Sequence, residues 1–243
     1  MRDCPDAHRT GKPWEHDALG ALAARLNDPR FPCVFARTAW RAGAVRIAFC
    51  DDVGGEAAYA ALLDYTAFVQ CTPVNDRLLV PLCLVVRTPD AAGAKGQHAH
   101  AWRLLAELHQ RDPAPWPATV PVDTNHPAWS YCFNGVQLFV NMSSHAHVQL
   151  RSRNLGPSLT LVINPRENFD VVAGAATSHG RAVRLRIRER VKAYNGSELP
   201  PSLGFHGEAG SREWRQYQLD EPAHPAPRTC PFTVREGACR NGP

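Results

Sequence analysis

Residues 139–170 carry the side chains of this chain that are best suited to chemistry. They include two histidines and three arginines between apolar runs: His145, His147, Arg151, Arg153 and Arg166. An imidazole is the commonest side-chain metal ligand, and a guanidinium binds carboxylates and phosphates through paired hydrogen bonds. Packing alone would not select these residue types between buried strands, so the stretch predicts a functional site.

The spacing of these residues leaves two arrangements open. A serine at 143–144 is suited to cap a helix. His147, Arg151 and Asn154 would then follow at i, i+4 and i+7 and share one face. His145 shares a face with His147 only in an extended segment, since on a helix the two diverge by about 200°. A helix favours His147 as a single metal or haem ligand, and a strand favours a two-histidine metal site. A hydrogen-bonded core histidine is the alternative to both.

Charged residues around the histidines suggest how a ligand would be held. The three arginines are suited to bind the propionates of a haem or an anionic substrate, and solvated or ion-paired arginines are the alternative. Acidic residues later in the chain are candidates to bind a cationic substrate: Glu167, Asp170, Glu208 and Glu213. Solvation at the surface is the ordinary state of such carboxylates.

Eight cysteines are scattered along the chain without any C-x-x-C pair. The spacing supports neither a zinc site nor a disulfide framework. Four of them stand in apolar runs and are expected to be buried thiols: Cys50, Cys71, Cys83 and Cys132. Cys33 and Cys230 each stand beside a proline. We expect both to be packed turn residues rather than haem thiolates, because no basic neighbour in the sequence lowers the thiol pKa.

Composition and missing motifs exclude several classes of protein. The net charge is +4, and no basic block alternates with aromatic residues, which argues against nucleic-acid binding. No run approaches the roughly 20 apolar residues of a membrane span, and the first residues lack the apolar stretch of a signal peptide. A cytoplasmic protein is therefore expected. G-x-G-x-x-G, P-loop and G-x-S-x-G motifs are all missing.

The hydrophobic pattern predicts alternating helices and strands. Helices are expected at 15–26, 56–71, 94–110 and 178–194, and strands at 45–50, 78–86, 136–140 and 159–163. The basic segment Arg181–Lys192 should be an amphipathic helix with a solvated charged face. The fold class expected is α+β, a single domain over residues 1–243 whose central mixed or antiparallel sheet is flanked by helices. Residues 1–14 should form an irregular arm, and residues 197–243 a tail that wraps the domain.

Several blocks of the sequence resemble the YqcI/YcgG family. The blocks are F-P-C at 31–33, N-x-S-S-x-A-H-x-x-x-R-S-R-N-L-G at 141–156, N-P-R-E-N-F-D at 164–170, W-x-Q-Y at 214–217 and C-P-F at 230–232. Their order and spacing cover most of the chain, and the central block is specific. The resemblance implies a haem protein that N-hydroxylates a guanidine or an amine.

The resemblance also implies roles for individual residues. It implies haem b as the cofactor, His147 as its axial ligand, and Arg151 and Arg153 beside it. His145 and His206 replace a proline and an aromatic residue expected in the family, so either is a candidate for a second haem-pocket imidazole.

The chemistry that the resemblance implies needs partners. The substrate expected is L-arginine or a related small guanidine, converted to its N-hydroxy product. Molecular oxygen or hydrogen peroxide would supply the oxygen atom. With no flavin or nicotinamide motif in the sequence, an electron-donor protein would accompany oxygen.

Overall fold

A computed structural model describes residues 11–51, 55–88, 93–221 and 225–235. Within these residues, five strands form one mixed sheet in the order β1-β2-β5-β4-β3. The strands are β1 (Arg46–Cys50), β2 (Leu82–Val86), β3 (Tyr131–Phe133), β4 (Val136–Ser143) and β5 (Leu159–Pro165). β1 and β2 are parallel, and the remaining neighbours are antiparallel. The α+β class with a central mixed sheet is confirmed.

Eight α-helices in the described residues accompany the sheet. They are α1 (Pro13–Asn27), α2 (Val34–Arg41), α3 (Glu56–Cys71), α4 (Val74–Arg77), α5 (Gly93–Gln110), α6 (Arg166–Ala173), α7 (Ser178–Asn195) and α8 (Trp214–Tyr217). The long helices predicted from hydrophobic period correspond to α1, α3, α5 and α7. None of the described helices is both long and apolar enough to cross a membrane.

Successive side chains along each strand point to opposite faces of the sheet, so the sheet has two distinct sides. On β4, Leu138, Val140 and Met142 pack into the larger core with α3 and α5. On the same strand, Phe139 and Asn141 face the opposite side, where α1, α2, α6 and α7 lie. The first side is a closed apolar core, and the second encloses a cavity.

Several sequence predictions need correction. The strand expected at 78–86 begins only at Leu82, because Pro81 cannot donate to the ladder and β2 is an interior strand. α1 starts at Pro13, inside the arm expected at 1–14, whose first ten residues lie outside the described residues. Cys71, expected to be buried, is exposed at the end of α3, whereas Cys50, Cys83 and Cys132 are buried.

The helix considered for 143–154 is absent. Ser143 ends β4, the following residues form turns, and only a short 3₁₀ turn at Arg151–Arg153 follows. The main-chain N–H of Ser144 and the ring Nδ1 of His147 both lie within hydrogen-bonding distance of Arg153 O, at 3.0 and 3.1 Å. These contacts fold the segment back on itself, which a helix could not do.

Candidate functional site

A cavity of about 350 Å³ lies between the sheet and the helices α1, α2, α6 and α7. The strand residues that point away from the main core form its floor: Cys83, Phe139, Asn141, Ser143, Val162 and Asn164. Its walls are mostly apolar and come from the helices and from the segment between Leu203 and Leu219. An apolar enclosure of this size with a few polar groups has the character of a small-molecule site.

Cys33 enters the cavity from the start of α2. Phe31 is buried beneath α1 and Pro32 follows it, so the chain turns at this point and α2 begins at Val34. Cys33 caps the helix, since the N–H of Ala36 donates to its Sγ over 3.4 Å. Burial raises the pKa of the Cys33 thiol, while main-chain hydrogen bonds from Ala36 and Phe35 act in the opposite direction. The sulfur is therefore protonated at neutral pH unless a metal ion displaces the proton.

Arg153 brings a buried guanidinium to the cavity. The 3₁₀ turn directs the side chain inward, where Nη1 and Nη2 donate to the main-chain oxygens of Tyr217 and Gln216 at 3.3 and 3.0 Å. Burial lowers the pKa of Arg153 to about 10, so it stays charged at neutral pH. Since both of these acceptors are uncharged carbonyls, the guanidinium remains suited to an anion in the cavity.

His147 lies behind this turn and outside the cavity lining. It is completely buried, its ring packs against that of His98 at a centroid distance of 4.9 Å, and its Nδ1 is 3.1 Å from Arg153 O. Burial, and secondarily the charge of Arg153, lower the pKa of His147 to about 4. His147 is therefore neutral and supports the turn that carries Arg153; its predicted role as iron ligand stays a prediction.

Glu213 joins several side chains at the opposite wall of the cavity. It is 2% exposed, and its Oε2 lies 3.0 Å from Arg166 Nε and 2.9 Å from His206 Nδ1. The hydroxyl of Tyr217 is 3.0 Å from the other carboxylate oxygen, Oε1. Arg166, His206 and Glu213 all line the cavity. The carboxylate thus fixes the position of a guanidinium and an imidazole at the cavity surface.

The structure brings together only some of the predicted site residues. Arg153, Arg166, His206 and Glu213 line the cavity, whereas these residues do not: His145, His147, Arg151, Glu167, Asp170 and Glu208. Glu167 is exposed and pairs with Arg77. Asp170 is exposed and lies 3.4 Å from Arg166.

The other two predicted basic residues lie at the surface. Arg151 is exposed, with its guanidinium 4.9 Å from the ring of Tyr194. The exposed His145 has Nδ1 3.2 Å from Pro157 O. Both lie on the outer side of the turn that carries Arg153, whose own side chain points inward.

Sequence reasoning missed cavity residues on α7. Arg184 and Arg188 both line the cavity, although their segment was expected to present a solvated charged face. Glu213 was a candidate for binding a cationic substrate and Cys33 was expected to be a packed turn residue, and neither was assigned to one shared site. Their presence in or beside the F-P-C and W-x-Q-Y blocks was the available signal.

Comparison with known proteins finds the same family that the sequence blocks indicated. A profile of the YqcI/YcgG family matches residues 22–233. The chain is 44% identical to "Putative N(omega)-hydroxy-L-arginine synthase DcsA" of Streptomyces lavendulae, over 91% of this chain and 85% of the relative. It is 31% identical to "Uncharacterized protein YcgG" of Bacillus subtilis, over 90% of this chain and 88% of the relative. No solved structure matches the chain significantly.

Proposed function

Because the chain belongs to the YqcI/YcgG family, we propose that it is an enzyme that N-hydroxylates the guanidine group of L-arginine. One observation carries this proposal. Residues of the sequence blocks that define the resemblance, far apart in the chain, meet at a single apolar cavity: Cys33, Asn141, Arg153, Asn164, Arg166 and Gln216. The relative named as a hydroxyarginine synthase supplies the reaction class and the substrate.

We propose haem b as the cofactor, and the residues that line the cavity suit it chemically in three respects. Its walls are largely apolar, as a porphyrin requires, and buried guanidinium groups are present for the propionates. Two side chains suited to iron, Cys33 and His206, line it. The described residues contain no cluster of three or more His, Cys, Asp or Glu side chains that would hold a bare metal ion. A haem needs fewer protein ligands, because the macrocycle supplies four nitrogens.

The cavity geometry favours Cys33 over His147 as the iron ligand. Cys33 lines the cavity and belongs to the F-P-C block that supports the family resemblance, whereas His147 lies behind the turn of Arg153. The sulfur is at the N-cap of α2, where the N–H of Ala36 would stabilise the thiolate once iron has displaced the proton that burial otherwise favours. When bound, the haem would activate oxygen or peroxide, which side chains alone cannot do.

The protein's own residues would bind and orient the substrate. The apolar walls exclude water, which strengthens every polar contact made inside. Asn141 and Asn164 on the floor offer side-chain oxygens to guanidine N–H groups. His206 faces Glu213 through Nδ1, so a neutral ring with its proton on that atom leaves Nε2 as an acceptor for a substrate proton.

The proposal predicts haem and product together. The purified protein should show a Soret band and stoichiometric haem b. With peroxide or a ferredoxin system it should add one oxygen atom to arginine, detected by mass, in preference to lysine, homoarginine or agmatine. Haem without any product from a guanidine would indicate a haem carrier instead. Preferred oxidation of lysine would contradict the guanidine assignment.

The iron ligand is tested separately. Cys33→Ser should remove the red-shifted ferrous–CO band that marks a thiolate ligand, and His206→Ala should keep it. His147→Ala is the matched comparison, since its ring supports the cavity without lining it. Loss of the Soret band in His147→Ala alone, in a folded protein, would restore His147 as the ligand.

A further inference from the structure

α7 carries two arginines to which the proposed function gives no role. Arg184 and Arg188 stand one helical turn apart, and both line the cavity. Phe205 lies against both guanidinium groups, with centroid distances of 4.4 and 5.1 Å. Stacking on one ring orders the two long side chains before any ligand arrives.

The groups that these arginines contact are uncharged. Arg184 Nε donates to Ala173 O over 2.5 Å, and Arg188 Nη2 donates to Leu203 O over 2.9 Å. In the part of the chain that the structure describes, neither guanidinium forms an ion pair with a carboxylate. Both terminal amino groups of Arg184 therefore remain available as donors.

Positive charge accumulates at this wall of the cavity. Arg166 lies nearby, and its charge is offset by Glu213, which also holds His206. Burial lowers the pKa of Arg184 to about 10, and the charges of Arg166 and Arg188 lower it further, against weaker opposing effects of Asp170 and Glu208. Positive groups that repel one another beside an apolar cavity favour the binding of an anion, because its charge would compensate theirs.

We propose that Arg184 and Arg188 form a carboxylate-binding subsite at the α7 wall of the cavity. The inference deepens the proposed function and rests on it for the identity of the ligand. Guanidinium forks match a carboxylate in bidentate geometry. Two kinds of carboxylate would come to this cavity, the haem propionates and the α-carboxylate of the amino acid, and both have the chemistry that the subsite requires.

A neutral double variant tests the subsite. Arg184→Met/Arg188→Met removes the charge and keeps similar length, and Arg186→Met on the exposed side of the same helix is the control. One arm measures by calorimetry the binding of L-arginine and of agmatine, which lacks the carboxylate, to the protein as purified. The other arm titrates haem and its dimethyl ester into haem-depleted protein.

We expect the double variant to lose at least a tenfold preference for the carboxylate-bearing ligand in one arm, which corresponds to about 1.4 kcal/mol. Loss of the preference for arginine over agmatine identifies the substrate carboxylate, and loss of the preference for haem over its ester identifies a propionate. The inference is overturned if the double variant behaves like Arg186→Met in both arms, or if the wild type shows no preference in either.

These outcomes are separable from those of the proposed function. If the wild type shows the carboxylate preference but forms no hydroxylated arginine, the hydroxylase proposal fails and the subsite stands. Arg184→Lys/Arg188→Lys guards against a folding defect, because it retains both charges and should recover part of the affinity that the methionine pair loses.

Discussion

Glu213 is the residue on which the polar wall of the cavity depends. A buried carboxylate is costly unless several donors compensate it, and here Arg166, His206 and Tyr217 all approach it. The same contacts that compensate the carboxylate of Glu213 also hold the Arg166 guanidinium and the His206 imidazole in place. A single charge change at this position should therefore affect more than one lining side chain.

Glu213→Gln should destabilise the fold by about 3 kcal/mol, because it leaves the Arg166 guanidinium buried without its counter-charge. Urea unfolding at neutral pH would measure the loss. Asp170→Asn is the control at the exposed side of the same arginine, where the pair should contribute less than about 1 kcal/mol. Equal losses in the two variants would show that Glu213 does not carry the compensation.

At the scale of elements, α7 is held against α6 by a close backbone approach. Gly180 stands in the first turn of α7, and a Cβ built there would lie 2.1 Å from Gly174 O. No side chain fits without moving backbone. The position of α7, and hence of Arg184 and Arg188, depends on this glycine.

Gly180→Ala should cost about 2 to 3 kcal/mol through overpacking, and it should weaken ligand binding because α7 is displaced. Gly20→Ala in α1 is the matched control. Nothing lies within 4 Å of its added Cβ, so it should gain about 0.5 to 1 kcal/mol from helix propensity. Thermal unfolding and arginine calorimetry on both variants measure the effects. A Gly180→Ala variant as stable as the wild type would contradict the tight α6–α7 contact.

The elements differ in how much of them the sequence predicts. Hydrophobic period placed α3, α5, α7 and four of the five described strands within a few residues, since their buried faces repeat regularly. The three-residue strand β3 was not predicted, because its pattern is too short to recognise. The eight-residue α2 has too short a pattern to recognise and depends on the turn at Pro32.

The site was less predictable than the elements. The turn around His147 depends on Arg153 O, a tertiary contact that no local spacing records. Arg184 and Arg188 have the spacing of a solvated face, and only the packing of Phe205 and α6 shows that they line a cavity.

At the scale of the whole molecule, a histidine joins the tail to the core. His109 on α5 is 1% exposed, packs against Trp116 and Phe232, and accepts the main-chain N–H of Arg235 at Nε2 over 3.0 Å. Burial, and secondarily the charge of Arg235, lower its pKa to about 4. The contact therefore exists only with a neutral ring.

This lowered pKa predicts a loss of stability in acid. The unfolded state takes up the proton at pH near 6.5, so the contribution of His109 is complete above that pH and is lost as pH falls toward 4. The loss should be about 2 to 3 kcal/mol from the size of the shift. His109→Gln should flatten the pH dependence of unfolding over this range, and His179→Gln, at an exposed position of α7, is the control. Identical slopes in all three proteins would refute the assignment.

The cavity draws its walls from both ends of the chain, and this has a consequence for biosynthesis. Cys33 and Glu213 line the same space. At roughly 5 to 20 residues per second, the ribosome needs about 9 to 36 seconds to reach the second after making the first. Until the segment around Glu213 has been made, the cavity between the sheet and the helices lacks part of its wall. Any ligand of this cavity would therefore be bound only after the segment around Glu213 has been made, and chains released before that point expose an apolar surface that chaperones would bind.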